Sequence, residues 1–123
     1  MESKDVEPNL YDRNCGSRQV LDRIGDRWSV LVVLTLADGV KRYSELAQRI
    51  DGVSQKMLTQ TLRGLERDGL VSRTVHATVP PRVDYALTDL GRTLLPLLSS
   101  LQAWATGHLA EVEAARTQYD TRP

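Results

Sequence analysis

The chain has 123 residues, 41% of them hydrophobic and 26% charged, with 16 Lys+Arg balanced by 16 Asp+Glu. That length fits one domain around one core, and with Phe absent and aromatics at 5% the core has to rest on Leu, Val and Ile. The polar start at residues 1–5 does not read as a signal peptide, the apolar run at 30–37 is too short to cross a bilayer, and a lone Cys15 cannot build an internal disulfide framework; the expectation is a cytoplasmic protein with no membrane partner.

Residues 1–14 read as a flexible arm. A helix is expected over 17–24, where Val20, Leu21 and Ile24 share a side and Gly25 breaks the pattern. A second is expected over 27–37, with Trp28, Leu31, Val32 and Leu36 at helical spacing and Gly39 as its stop. Ser44 is placed to cap a short helix over 45–50. Asp51-Gly52 marks a turn, and Ser54 can cap a longer helix from Gln55 to about Asp68, which Gly69 ends. A short helix, a Gly-containing turn and a longer helix make a helix-turn-helix. Gly64, inside the longer helix, costs roughly 1 kcal/mol relative to Ala, and the sequence supplies no reason for it.

Beyond Gly69 the period changes to two. Val71, Val75, Ala77 and Val79 alternate with polar residues, as do Val83, Tyr85 and Leu87, with Pro80-Pro81 between the runs. Two antiparallel strands with a proline-stiffened tip are expected, a wing directly after the helix-turn-helix. Thr88 can cap a last helix reaching about Ala115, kinked at Pro96, with 116–123 fraying. The fold class is mostly α with a small β-hairpin, a winged helix-turn-helix over 15–115.

Charge is unevenly spread. Residues 41–82 hold eight Lys/Arg and four Asp/Glu, whereas each flanking stretch is mildly acidic. Within this basic middle, Leu58, Leu62 and Leu65 form one face of the longer helix, flanked by Met57 and Thr61, and Lys56, Thr59, Gln60, Arg63 and Arg67 form the other. Acidic residues wait until Glu66 and Asp68. This layout suits entry into a major groove by the helix N-terminus. Gln can pair with adenine edges, Lys and Arg with guanine edges, and a Thr methyl can meet a thymine methyl. Backbone N–H groups near Ser54 and Gln55 can meet a phosphate. His76, Thr78 and Arg82 surround the wing tip, where an arginine can enter a minor groove or hold a phosphate. A solvated helix face and a solvated hairpin are the plain competing readings.

In the last helix, Leu90, Leu94, Leu97, Leu101, Trp104 and His108 are spaced as a heptad-like seam. Leu95, Leu98, Ala105, Leu109 and Val112 make a second stripe beside it. Two stripes exceed what a small wing-bearing domain can bury alone. A homodimer through Leu94, Leu97, Leu101 and Trp104 is expected, unless the whole broad face packs on its own domain.

Four stretches carry a family resemblance. They are Ile24-Gly25-Asp26-Arg27-Trp28, Arg42-Tyr43-Ser44-Glu45-Leu46, the run from Val53 through Ser54-Gln55-Lys56-Met57-Leu58-Thr59-Gln60-Thr61 to Leu62, and Thr78-Val79-Pro80-Pro81-Arg82-Val83-Asp84-Tyr85 with Leu87-Thr88-Asp89-Leu90-Gly91. Together they resemble the HxlR-type regulators, relatives of the MarR winged-helix proteins, over about residues 15–104. The resemblance implies a symmetric dimer through the first and last helices and operator binding through residues 54–63 and the wing near Arg82. Some members of that family sense electrophiles or oxidants through a cysteine just before the first helix, where Cys15 stands. Many members have Pro after that Cys and several carry a second Cys; this chain has Gly16 and Cys15 alone.

A Cys at a helix N-terminus can have a lowered pKa, helped by Arg13 and Arg18, and thiolates react with oxidants, quinones and aldehydes. With one Cys per chain, three outcomes remain: a disulfide to the partner's own copy of this residue, a mixed disulfide with a small thiol, or alkylation. A half-buried packing residue is the competing reading.

The reading is therefore a sequence-specific DNA-binding regulator whose partners are double-stranded operator DNA and a second copy of itself. The inducer is open between an oxidant or electrophile at Cys15 and a small molecule held between subunits near Trp28, Tyr43 or Trp104. A winged-helix protein-interaction module is the alternative from another class. An enzyme is disfavoured: two His and one Cys far apart give no metal-ligand spacing, and no nucleophile motif or Gly-rich phosphate loop is present. No catalytic residue, metal or cofactor is expected.

Overall fold

The computed structural model describes residues 7–123. Seven α-helices and one hairpin follow in chain order: α1 (Gly16–Ile24), α2 (Arg27–Thr35), α3 (Tyr43–Arg49), α4 (Gln55–Arg67), β1 (Val71–His76), β2 (Arg82–Leu87), α5 (Asp89–Arg92), α6 (Leu95–Gly107) and α7 (Leu109–Asp120). This is a winged helix-turn-helix, with α3 and α4 as the paired helices and β1–β2 as the wing.

The expected arm lies partly outside the described residues. Within them, 9–14 is a string of turns folded back on α1. Asp12 N–H donates to the Asn9 carbonyl at 3.1 Å, Cys15 N–H to the Asp12 carbonyl at 3.0 Å, and Arg18 Nη1 to the Leu10 carbonyl at 3.2 Å. Asn and Asp close such turns with their own carboxamide and carboxylate oxygens; here Asn9 and Asp12 each accept a backbone N–H two residues on.

Asp26 caps α2 by accepting from Ser29 N–H at 3.1 Å. The helix is shorter than expected: α geometry stops at Thr35 and a 3₁₀ turn covers Leu36–Asp38 before Gly39, at φ 135°, reverses the chain. The next helix begins earlier than expected. Arg42, not Ser44, occupies the cap position, and its N–H is satisfied from inside the helix by Glu45 Oε1 at 2.8 Å. A Glu three residues in can do half of a capping box whatever side chain the cap residue carries, so Ser44 is free to lie within the first turn.

Ser54 caps α4 as expected, accepting from Met57 N–H at 3.1 Å. Its end is a Schellman closure on Gly69 at φ 76°: Gly69 N–H donates to the Glu66 carbonyl and Leu70 N–H to the Leu65 carbonyl. Leu58, Leu62 and Leu65 are fully buried against Val32, Val33 and Leu36, together with Leu46, Ile50, Leu70, Val71, Leu87 and Leu98. Each fully buried side chain of this size contributes about 1.5–3 kcal/mol relative to exposure.

The strands pair Val71 with Leu87 through His76 with Arg82. They are shorter than the alternation suggests: Ala77 and Val79 lie in the tip, where Val79 is fully exposed. Lys41 adds a single bridge on Tyr85, N–H to carbonyl at 2.9 and 2.8 Å in the two directions.

The single last helix expected from Thr88 is three. Thr88 does cap, accepting from Gly91 N–H at 3.0 Å while its hydroxyl donates to the Gly69 carbonyl at 2.6 Å, which ties the hairpin base to α5. The chain then breaks at Thr93 and Leu94, so Pro96 stands in the first turn of α6 rather than mid-helix. Proline lacks only an N–H that a first turn leaves unpaired anyway, so it starts a helix here instead of kinking one. A second break falls at His108, and α7 continues to Asp120, beyond the expected end at Ala115.

Gly64 and Gly91 are both crowded, for different reasons. A Cβ at Gly64 would meet the Arg23 guanidinium, which crosses α4 to reach Asp68, Nε to Oδ2 at 2.9 Å. A Cβ at Gly91 would meet the Leu70 backbone carbonyl. A guanidinium can swing aside, and Ala gains helix propensity; a backbone carbonyl in a packed core cannot yield. Gly91→Ala is expected to lower the unfolding free energy by about 1–3 kcal/mol, and Gly64→Ala to change it by less than about 1 kcal/mol. Urea unfolding of the two variants measures both; equal losses would contradict the distinction.

Candidate nucleic-acid interface

Burial of the α4 leucine stripe forces the opposite face of that helix outward. Ser54, Gln55, Lys56, Gln60 and Arg63 are all exposed on it. Met57, expected beside the core stripe, is also exposed, whereas Thr61 is buried. Thr59 is half-buried because Tyr43, from α3, crosses to it: the Tyr43 hydroxyl lies 3.2 Å from Thr59 Oγ1 and donates to the Gln55 carbonyl at 3.0 Å. Tyr43 thus braces the first turns of α4 from the neighbouring helix, a role its position in the sequence did not announce.

The wing residues are less free than expected. The register places His76 opposite Arg82 and Thr74 opposite Asp84, on one face of the hairpin. Asp84 draws both basic groups to itself: His76 Nε2 lies 2.9 Å from Oδ2 and Arg82 Nε 3.6 Å from Oδ1. Arg82 Nε is buried and has no hydrogen-bond partner among the described residues. The arginine is therefore anchored by one edge at the strand end beside the tip rather than loose on it. Thr78 turns inward too, its hydroxyl donating to the Pro80 carbonyl at 2.7 Å. The period-two pattern could have shown Asp84, since residues paired across a ladder and their diagonal neighbours share a face.

At the other end of the domain, Cys15 is half-buried at the cap position of α1. The Arg18 backbone N–H, with smaller help from those of Ser17 and Asn9, holds its thiol below the ordinary value; desolvation and the Asp12 charge oppose the shift. Arg18 contributes through its backbone, while its guanidinium bonds Asp22 and the Leu10 carbonyl.

At the start of α6 and along it, the two apolar stripes divide between core and surface. Leu94 is half-buried on its own core and Leu98 is buried there. Leu97, Leu101 and Trp104 are 57%, 53% and 57% exposed, and Val20 and Leu21 of α1 are exposed as well. Trp104 stacks on His108, centroids 4.6 Å apart. Among the described residues, no helix is long and apolar enough to cross a membrane.

Residues 23–113 match the family described as HxlR-like helix-turn-helix. The chain belongs to that family. It is 42% identical over 112 residues to the HTH-type transcriptional regulator YtfH of Escherichia coli, covering 91% of this chain and 89% of that protein. Among solved structures, a transcriptional regulator ytfH from Salmonella typhimurium superposes with a TM-score of 0.83 at 41% identity, covering 90% of this chain and 99% of that one. The redox regulator HypR in its oxidised form does so with a TM-score of 0.71 at 40% identity, covering 76% and 96%. Family membership and the exposed α4 face agree: the chain is a DNA-binding transcriptional regulator of the helix-turn-helix type.

The Cys15 geometry has a direct consequence. The thiolate, which is the reactive form, is favoured in the folded protein, so alkylation of Cys15 by iodoacetamide should rise with pH through an inflection below that of the urea-unfolded chain. Rate–pH profiles in the two states test this. Coincident inflections would mean that the Arg18 N–H does not stabilise the thiolate.

Proposed function

We propose that this family member is a sequence-specific regulator that binds its operator as a cytoplasmic homodimer and is switched by oxidants or electrophiles at Cys15. The observation that carries the DNA reading is the split of α4 into a core-locked leucine stripe and an outward face of Gln55, Lys56, Gln60 and Arg63. Such a helix offers its first turns to base edges, while Ser54 and the adjoining backbone N–H groups meet a phosphate.

The dimer reading rests on Leu97, Leu101 and Trp104, which one subunit leaves more than half exposed on a single helix. Three large apolar residues in one row, with Val20 and Leu21 on α1 adding to the exposed apolar surface, favour a second copy of the same face over water. Sedimentation at micromolar concentration should give twice the monomer mass for the wild type. Leu101→Asp should shift it toward monomer, because the charge would be desolvated without a partner. A monomeric wild type would contradict the seam.

Support for the thiol switch comes from the Cys15 environment and from the likeness to HypR, a redox regulator. Two Cys15 thiols, one per subunit, can lose two electrons and two protons to an oxidant such as diamide and form one disulfide. A small thiol can instead form a mixed disulfide by the same balance. Either product can turn the subunits relative to each other and move the two recognition helices off the spacing of about 34 Å that successive major grooves require. Operator affinity of the wild type should fall on diamide treatment and recover with dithiothreitol, while Cys15→Ser should show neither change. An equal response of both proteins, or of neither, would overturn the switch.

A further inference from the structure

Between α4 and the wing lies a notch of about 380 Å³ that the reading so far leaves unused. Its walls carry two arginines from different elements, Arg63 of α4 and Arg73 of β1, with Tyr43, Tyr85 and Glu66 around them. Both arginines are exposed, and among the described residues neither has a carboxylate within ion-pair distance. Arg23 and Arg82, by contrast, are engaged by Asp68 and Asp84. The ladder explains why Arg73 points here: it pairs with Tyr85, two residues along from the buried Val71–Leu87 pair, and so lies on the hairpin face that turns toward α4.

We propose that this notch seats a backbone phosphate of the bound DNA, held by Arg73 from the wing and Arg63 from α4. The inference rests on the DNA-binding reading and adds a site to it. When a recognition helix lies in the major groove and a wing lies over the adjacent minor groove, the sugar-phosphate strand that separates the grooves has to pass between the two elements. The floor of that passage is this notch. Arg63 fits the role by its distance along the helix: it stands about 12 Å beyond Gln55, at the rise of an α-helix. A helix entering by its N-terminus brings that position to the groove edge, where the phosphates are, rather than to the base edges at the floor. Two guanidinium groups from different elements on the walls of one notch, without an ion-pair partner among the described residues, suit a phosphate, which accepts from both. Glu66 is the one carboxylate on the wall and weakens the site without filling it.

A phosphate contact has a signature that neither a base contact nor a solvated side chain shares. Each neutralised phosphate on duplex DNA adds about 0.9 to the slope of log affinity against log salt concentration. Wild type, Arg73→Gln, Arg73→Lys and Arg63→Gln would be titrated against two duplexes at several salt concentrations: an operator selected by the wild type from a random library, and a random 30-mer. The expected result is that the double variant Arg63→Gln/Arg73→Gln, titrated alongside these, flattens the slope by about 0.9 per subunit on both duplexes, while either single Gln variant, in which the other arginine still neutralises the phosphate, weakens binding to both duplexes with a smaller change of slope. Arg73→Lys should keep the slope, and the operator-to-random affinity ratio should stay within about threefold of wild type. An unchanged slope in the double Gln variant, or a collapsed ratio with the slope kept, would overturn the notch as a phosphate seat. A wild type that enriches no operator from the library and does not bind the random 30-mer would overturn the DNA-binding reading itself, and the notch with it. Glu66→Gln, which removes the opposing charge without touching an arginine, should tighten binding to both duplexes; weaker binding would count against the site.

Discussion

Burial of Leu58, Leu62 and Leu65 against α2 is the constraint on which the working surface depends. A helix has one orientation about its axis, and once three leucines on one side are locked in a core, every polar residue on the other side is aimed. Lys56, Gln60 and Arg63 therefore need no contacts of their own to be held outward; the core holds them. The ends of the same helix are fixed independently, by the Ser54 cap and by the Gly69 closure. Tyr43 then braces its first turns from α3, which keeps the two helices of the motif at one mutual position.

The wing is attached to this frame at its base and steadied along its length. Thr88 bonds both the Gly69 carbonyl and the Gly91 N–H, so the end of α4, the end of β2 and the start of α5 share one hydroxyl. Gly91 lets α5 lie directly on the Leu70 backbone. Further out, Asp84 gathers His76 and Arg82 on one hairpin face, while the other face turns Arg73 toward α4. The two faces of a two-stranded ribbon thus do different work: one is internally neutralised, and the other completes a basic notch. The net charge of zero conceals this, because the acidic residues that balance the chain lie largely outside the segment that forms the surface.

Much of this was legible from residue order. The 3.6 period, the Ser54 cap, the Asp51-Gly52 turn and the switch to period two place the helix-turn-helix and the wing without reference to tertiary contacts. What was not legible depended on partners distant in sequence. Gly64 looked like an unexplained cost until Arg23, 41 residues earlier, was found lying across it. Arg82 is the exception: Asp84, two residues on along the same strand, shares its face and was readable from the period of two. The last helix read as one because a leucine pattern continues through 93–94 and 108, and a backbone break leaves hydrophobic spacing almost intact. Arg73 was passed over because strand polarity alone assigns it to a face but not to a neighbour. Cys15 shows the reverse case: its position before α1 was readable, and so was the direction of its pKa, but the donor that matters is the Arg18 backbone rather than its guanidinium.

The account turns on which groove each element enters, and methylation of a bound operator by dimethyl sulfate reads that directly. The reagent attacks guanine N7, which lies in the major groove, and adenine N3, which lies in the minor groove. If α4 reads bases and the wing covers the neighbouring groove, guanine N7 should be protected in two clusters whose centres lie about 34 Å apart along the duplex, one per subunit. Adenine N3 protection should fall beside each cluster, under the wings. Protection confined to adenine N3, or a single guanine cluster with no symmetry mate, would contradict the account.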